Sequence, residues 1–103
     1  MTIEILYFEG CVNVGQASRR VREVLDELGL QAEVSRINVK DEKMAEELRF
    51  PGSPTVRVDG ADVVPGGNGE PFSMRCRVYP TSKGFDGAPD KDSIRMAIER
   101  SVE

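Results

Sequence analysis

The stretch that decides the fold is Ile3–Val14, which reads IEILYFEGCVNV. Its first six residues, Ile3–Phe8, are mostly apolar and rich in branched and aromatic side chains, which predicts a β-strand covered on both faces. Gly10 ends the strand, and Cys11 follows it directly. The sequence therefore predicts a cysteine at the junction between the first strand and the next element.

An amphipathic helix is predicted next, over Gly15–Leu28. Apolar residues recur there at steps of three and four, with arginines and glutamates between them. These apolar residues are Ala17, Val21, Val24, Leu25 and Leu28. Gly29 follows and is predicted to end the helix.

A second strand and a short helix are predicted after it. The stretch Ala32–Val39 has the apolar spacing of a strand. Asp41 is predicted to be the N-cap of a helix over Glu42–Arg49. The segment Phe50–Pro54 cannot continue that helix, because two prolines and a glycine remove donors and restrict the backbone.

A β-hairpin is the strongest short-range signal in the chain. The runs Thr55–Val58 and Ala61–Val64 flank Asp59 and Gly60, two residue types that tolerate the positive φ angles of a two-residue turn. Further along, Met74–Tyr79 alternates as a short strand does.

The rest of the chain is predicted to be loops and a last helix. Pro65–Pro71 and Pro80–Pro89 are rich in glycine and proline, which predicts loops. The stretch Asp90–Val102 places its apolar residues on one helical face, with Asp90 as a cap. We therefore predict a single α/β domain over residues 1–103, with a loop-rich insertion at residues 65–90.

Composition limits the chemistry. The chain has 103 residues, no histidine, two cysteines and a formal net charge of -4 at pH 7. The lack of histidine excludes Ser-His, Cys-His and His-ligated metal mechanisms. An acidic chain of this kind is a poor partner for nucleic acid. No apolar run suits a membrane helix and no export signal is evident, so we expect a cytoplasmic protein without membrane contact, cofactor or bound metal.

The predicted order of elements and three segments resemble thioredoxin-like proteins. Tyr7–Val14 is similar to their active-site segment, and Gly52–Val56 is similar to their cis-proline segment. The resemblance covers Met1–Val64 and the last helix. It is strongest to small bacterial members with a Ser-x-x-Cys-Arg-x-Tyr segment, here Ser73–Tyr79, which are sometimes labelled alkylmercury lyase-like. It implies a three-layer βαβαββα fold, with an inserted loop and strand segment before the last helix.

The resemblance implies that Cys11 is the catalytic nucleophile. A thiol at a helix N-terminus faces unpaired N–H groups and the positive end of the helix dipole, which favour the thiolate. Thioredoxins have Cys-x-x-Cys, whereas this chain has Val14 at the second position. Cys11 therefore has no neighbour for the usual four-residue disulfide, and general dithiol reductase activity is not expected.

The resemblance also implies a substrate-binding groove formed by Ser53, Pro54 and Thr55. In that fold family, the backbone N–H and C=O groups of the residue before the cis-proline pair with the backbone of an incoming thiol substrate. We therefore expect a cis bond before Pro54 and a thiol or disulfide substrate, or a protein partner, in this groove.

Cys76 leaves two interpretations open. If the inserted segment folds over Cys11, Cys76 is a second catalytic residue that resolves a mixed disulfide. The cost of closing so long a loop grows only logarithmically, so the distance between the two cysteines decides this. In the other interpretation Cys76 and Val78 face the core, and Arg75 and Arg77 are solvated.

Three functions are therefore predicted, in order of preference. The first is a thiol-disulfide redox protein that uses Cys11, with Cys76 as resolving thiol. The second is a non-catalytic thioredoxin-like module that binds a partner in the Pro54 groove. The third is capture of a soft metal or an organomercurial by the two thiols, since thiolates are soft ligands.

Overall fold

A computed structural model describes residues 1–64, 72, 74–81 and 84–102 of the chain. These residues form a mixed α/β structure with a mixed sheet and three helices, which confirms the predicted class. The elements are β1 (Thr2–Tyr7), α1 (Val14–Leu28), β2 (Glu33–Asn38), α2 (Glu42–Glu47), β3 (Thr55–Val58), β4 (Ala61–Asp62), β5 (Tyr79–Thr81), β6 (Gly84–Asp86) and α3 (Lys91–Ser101).

The main sheet has four strands in the order β2-β1-β3-β4. Strand β1 runs parallel to β2 and antiparallel to β3, and β3 is antiparallel to β4. A parallel pair needs a crossover connection, and α1 provides it. The carboxyl ends of β1 and β2 therefore lie at the same edge of the sheet, where Cys11 follows β1.

The core lies on both faces of the sheet. Ile3 and Ile5 of β1 are fully buried in one cluster with residues of α1 and α3. Leu6 points to the opposite face, where it packs with Val39 and with Ala45 of α2. Successive side chains of a strand alternate between faces, so one short strand supplies both clusters. The expectation that the first strand is covered on both faces is confirmed.

The helix ends follow the predicted capping residues. Gly29 ends α1 with a left-handed φ of 65°. Asp41 accepts a hydrogen bond from the Met44 N–H at 2.8 Å, and Asp90 accepts one from the Ser93 N–H at 2.9 Å.

Within the part of the chain that the structure describes, no helix combines the length and apolar character needed to cross a membrane.

The predicted hairpin is confirmed. Strands β3 and β4 pair across Asp59 and Gly60, whose φ angles are 49° and 87°. Both angles lie in the left-handed region that this two-residue turn requires. β4 ends at Asp62, two residues before the predicted end of that strand.

Residues 74–89 differ from the prediction. The strand expected over Met74–Tyr79 is wrong, because Cys76 makes only an isolated bridge with Ser53, and β5 begins at Tyr79. β5 pairs with β6 inside the stretch Pro80–Pro89 that was expected to be a loop. A two-stranded ribbon has a free edge on each strand, where proline's missing N–H does no harm, so Pro80 is tolerated. The predicted loop at residues 65–71 lies outside the described residues, as does Ser73.

The last helix also differs at its end. Val102 was expected on the apolar face of that helix, but its side chain is 54% exposed. α3 ends at Ser101 and Val102 is its C-cap residue, so it lies beyond the face that packs on the sheet. Ile94 and Ile98, on the same predicted face, are fully buried as expected.

Candidate functional site

Cys11 lies in a turn between β1 and α1. Its N–H donates to the Phe8 carbonyl at 3.1 Å, and Gly10 has a φ of 91°. This turn uses the residues up to Cys11, so α1 begins only at Val14, with Asn13 as its N-cap. The thiol therefore lies at the predicted junction between the first strand and the helix, two residues before the N-cap and outside the first helical turn. The side chain of Cys11 is partly buried.

The start of α1 is held against the segment that precedes α3. The Asn13 side chain lies over Gly87, where a Cβ atom would come within 2.3 Å of the Asn13 Nδ2. Arg20 donates to the Pro89 carbonyl at 3.0 Å and to Asp86 Oδ2 at 2.7 Å. The hydrogen bond from Arg20 holds the pKa of Asp86 below its ordinary value. These contacts fix the residues next to Cys11 on the helix side.

The Ser53–Pro54 peptide bond is cis, as expected. Ser53 is fully buried, and its Oγ accepts a hydrogen bond from the Phe8 N–H at 3.4 Å. The backbone of Ser53 is also paired: its N–H donates to the Arg75 carbonyl at 2.8 Å, and its C=O accepts from the Arg77 N–H at 2.9 Å. The two groups expected to bind a substrate backbone are thus bonded to another segment of the same chain.

That segment, residues 74–78, is called the strap below. It brings Cys76 directly opposite Ser53 in a parallel bridge. The two backbones approach so closely that a Cβ atom on Gly52 would lie 3.1 Å from the Arg75 carbonyl oxygen. Gly52 has a φ of 150°. Glycine is therefore required at this position both for its backbone angle and for the close approach of the strap.

A buried polar cluster lies beside the cis-proline. Arg77 Nη1 donates to Asp62 Oδ2 at 2.7 Å and to Thr55 Oγ1 at 3.0 Å. Its guanidinium stacks on the Tyr79 ring, 4.5 Å from the centroid. The Tyr79 hydroxyl donates to the Pro54 carbonyl. Arg77 is only 9% exposed, and its Nη2 is buried with no hydrogen-bond partner among the residues that the structure describes. The expectation that this arginine is solvated is wrong.

Tyr79 connects this cluster electrostatically to Cys11. Burial raises the pKa of the Tyr79 hydroxyl, and the negative charges of Asp62 and of a Cys11 thiolate act in the same direction. The nearby Arg77 cation opposes them. The hydroxyl therefore keeps its proton at neutral pH and remains a donor to Pro54.

Hydrogen bonds through Phe8 and Ser53 connect the surroundings of the two cysteines. Cys11 bonds to Phe8, Phe8 bonds to the Ser53 side chain, and the backbone of Ser53 pairs across Cys76. Both cysteines are free thiols, with Cys76 exposed. Among residues 1–64, 72, 74–81 and 84–102, no group of three or more His, Cys, Asp or Glu side chains could hold a metal ion.

The buried polar residues of the strap and its neighbours were not predicted from the sequence. One interpretation placed Cys76 and Val78 inward, but both are exposed, whereas Arg77 and Tyr79 are buried. The signal that could identify the inward face is Tyr79, because a tyrosine can bury a large ring while its hydroxyl finds a hydrogen-bond partner. Asp62 then supplies the charge that a buried arginine requires.

Comparison with known proteins gives no relative: no family model, no curated protein and no solved structure matches this chain.

Proposed function

We propose that this chain is a thioredoxin-like thiol-disulfide redox protein, in which Cys11 is the nucleophile and Cys76 resolves the mixed disulfide. The strand order β2-β1-β3-β4 supports the fold assignment, together with helices on both faces of the sheet. A cysteine after β1 and a cis peptide bond before β3 support it further.

A single observation carries the proposal, namely that Ser53 connects the surroundings of both thiols. Its side chain accepts from the N–H of Phe8, whose carbonyl binds the Cys11 N–H, and its backbone pairs with the strap across Cys76. Neighbouring strands lie about 4.8 Å apart, so Cys76 is one strand spacing from Ser53. In this proposal Cys76 takes the role that thioredoxins give to a second cysteine at the position of Val14.

The proposed reaction has two exchange steps. The Cys11 thiolate attacks one sulfur of a disulfide RSSR, forms a Cys11–S–S–R bond and releases RS⁻. The Cys76 thiolate then attacks the Cys11 sulfur, forms the Cys11–Cys76 disulfide and releases the second RS⁻. The two cysteines lose two electrons and two protons, and RSSR becomes two RSH.

The buried cluster positions this site. Tyr79 holds the Pro54 carbonyl, and Arg77 fixes the strap by its backbone bond to Ser53 and its side-chain bonds to Thr55 and Asp62. The charge of Arg77 is compensated by Asp62, which leaves little net field for a thiolate. Arg77 is therefore a positioning residue.

The alternative of a module that binds a partner strand at Pro54 has less support. Such a module needs the backbone groups of Ser53, and the strap uses both of them. The third function, binding of a soft metal by the two thiols, is supported by the same positions of Cys11 and Cys76.

Reaction with 5,5'-dithiobis(2-nitrobenzoate) at an equimolar amount tests the proposal. We expect the wild-type chain to release two thionitrobenzoate ions, because Cys76 displaces the second from Cys11. Cys76→Ser should release one and retain the other as a mixed disulfide on Cys11. Cys11→Ser is the matched control and should release its single ion more slowly. Equal rates in Cys11→Ser and Cys76→Ser would contradict the role of Cys11 as nucleophile.

A further inference from the structure

We infer that the substrates of this site are disulfides of small molecules that offer no polypeptide strand, an inference that rests on the proposed function. The inference is based on the two hydrogen bonds that the strap makes with the N–H and C=O groups of Ser53. The class is defined by chemistry: a low-molecular-weight disulfide whose sulfur reaches Cys11 without backbone pairing.

The backbone of Ser53 has no capacity left for a substrate strand. A peptide that adds to a strand edge pairs through free N–H and C=O groups of that edge. The Ser53 N–H is bonded to Arg75 and its C=O to Arg77, at 2.8 and 2.9 Å. A polypeptide substrate would therefore have to displace the strap before it could pair with Ser53.

Side chains on both sides of the bridge resist that displacement. Before the bridge, Arg75 Nε donates to the Pro51 carbonyl at 3.0 Å. After it, Arg77 forms the ion pair with Asp62, in which both side chains are at least nine-tenths buried. Removing Arg77 from this position would leave the Asp62 charge buried and unpaired, which is strongly unfavourable.

Pairing with the outer edge of the strap does not bring a polypeptide substrate to Cys11. A strand added there would lie one further spacing of about 4.8 Å from Ser53, and therefore farther from the Phe8 turn that holds Cys11. A small disulfide has no such requirement. It needs access only to the Cys11 sulfur, and the neighbouring residue Val12 is 90% exposed.

The chemical step is the first exchange described above. The Cys11 thiolate bonds to one sulfur of the small disulfide, and the other sulfur leaves as a thiolate that takes a proton from water. No additional oxidant is needed, because the disulfide itself accepts the electrons.

Two mixed disulfides with the same leaving group test the inference. One joins thionitrobenzoate to cysteamine, and the other joins it to the central cysteine of an extended octapeptide. Rates of thionitrobenzoate release are measured with Cys76→Ser, so that only Cys11 reacts, and are divided by the rates with free cysteine. We expect the two corrected rates to agree within a factor of about two, since no backbone pairing assists the peptide. A corrected peptide rate about tenfold higher, the value of two net backbone hydrogen bonds, would overturn the inference.

Displacing the strap should create a preference for the peptide disulfide over the cysteamine disulfide. In Gly52→Ala the new Cβ lies against Arg75 and Arg77, which loosens the strap and should raise the peptide rate toward that tenfold advantage. Gly60→Ala is the matched control, since Gly60 also has a positive φ, 87°, but open space around its Cβ position. An unchanged rate ratio in folded Gly52→Ala would contradict the role of the strap.

Amide exchange gives a second measurement that needs no glycine variant. The N–H groups of Ser53 and Arg77 should remain protected when the unlabelled octapeptide is added, and loss of protection on addition would overturn the inference. If Cys11 reacts with neither mixed disulfide faster than Cys76 does, the proposed function itself fails, which is a different outcome from a peptide preference.

Discussion

Residues 1–64 and the strap are held in place by different forces. In the first region, apolar residues at strand and helix spacing bury β1 between α1 and α3 on one face and α2 on the other. The strap has a bridge to Ser53 and is held mainly by polar contacts of Arg75 and Arg77, with Met74 packed on the cluster around Ala45. Local periodicity thus builds the sheet, while long-range polar contacts position Cys76 on it.

The largest loss of stability should come from Asp62→Asn, which breaks the ion pair that anchors the strap. It leaves the buried Arg77 cation without its carboxylate, and breaking a buried ion pair in this way costs about 3–5 kcal/mol. The free energy of unfolding in urea measures the loss. Asp92→Asn is the control, because its ion pair with Arg95 is exposed and should contribute little.

The double variant Asp62→Leu with Arg77→Met tests further whether the loss of stability comes from an unpaired buried charge. It removes both charges, so most of the lost stability should return. If Asp62→Asn is no less stable than Asp92→Asn, the strap is not anchored by this pair.

A smaller effect is expected from Tyr79→Phe. This variant removes the hydroxyl that donates to the buried Pro54 carbonyl, and a lost buried partner costs about 1–3 kcal/mol. Tyr7→Phe is a suitable control at a partly buried tyrosine. Urea unfolding of the two variants should separate them, and equal midpoints would count against the hydrogen bond to Pro54.

The same hydroxyl predicts a pH dependence. Burial raises the pKa of Tyr79 in the folded state above the ordinary value of about 10. The folded chain then holds this proton more tightly than the unfolded chain. The contribution of the Tyr79 hydroxyl to the free energy of unfolding is present in full below about pH 10. It is lost as the pH rises further, at up to about 1.4 kcal/mol for each pH unit.

The measurement is the difference in unfolding free energy between the wild-type chain and Tyr79→Phe. That difference should be constant from neutral pH to about pH 9 and should shrink above about pH 10. A difference that stays constant at higher pH would show that Tyr79 is not buried as a donor.

The smallest effect is expected at a helix cap in the locally encoded region. Asp41→Ala removes the carboxylate that accepts from the Met44 N–H, which should cost about 1 kcal/mol. Cys76 should nearly keep its rate of alkylation in this variant, because α2 contacts the strap at Met74, through Glu42, and not at the Ser53 bridge. A large change in that rate would mean that the two regions are not independent.

Much of the first region was predictable, because its signals are local. Gly29, Asp41 and the Asp59 and Gly60 turn act on neighbouring residues, and the structure confirms each of them. The start of α1 was predicted to within one residue, since Gly15 was expected and Val14 is observed.

The strap could not be predicted in the same way. Its bridge pairs residues 53 and 76, and its ion pair joins Arg77 to Asp62, so no short window of sequence contains both partners. Residue type also misled, since an arginine is rarely buried and a cysteine often is. The cis bond before Pro54 was expected only from family resemblance, and the structure confirms it.

The pairing of Cys11 with Cys76 is tested by mapping the disulfide that forms on oxidation. The wild-type chain is treated with one equivalent of bis(2-hydroxyethyl) disulfide, blocked with an alkylating reagent, digested and analysed by mass spectrometry. We expect a peptide pair linked through Cys11 and Cys76, formed within one chain and independent of protein concentration. Separate hydroxyethyl adducts on Cys11 and Cys76, with no linked pair, would contradict the proposed roles of the two cysteines.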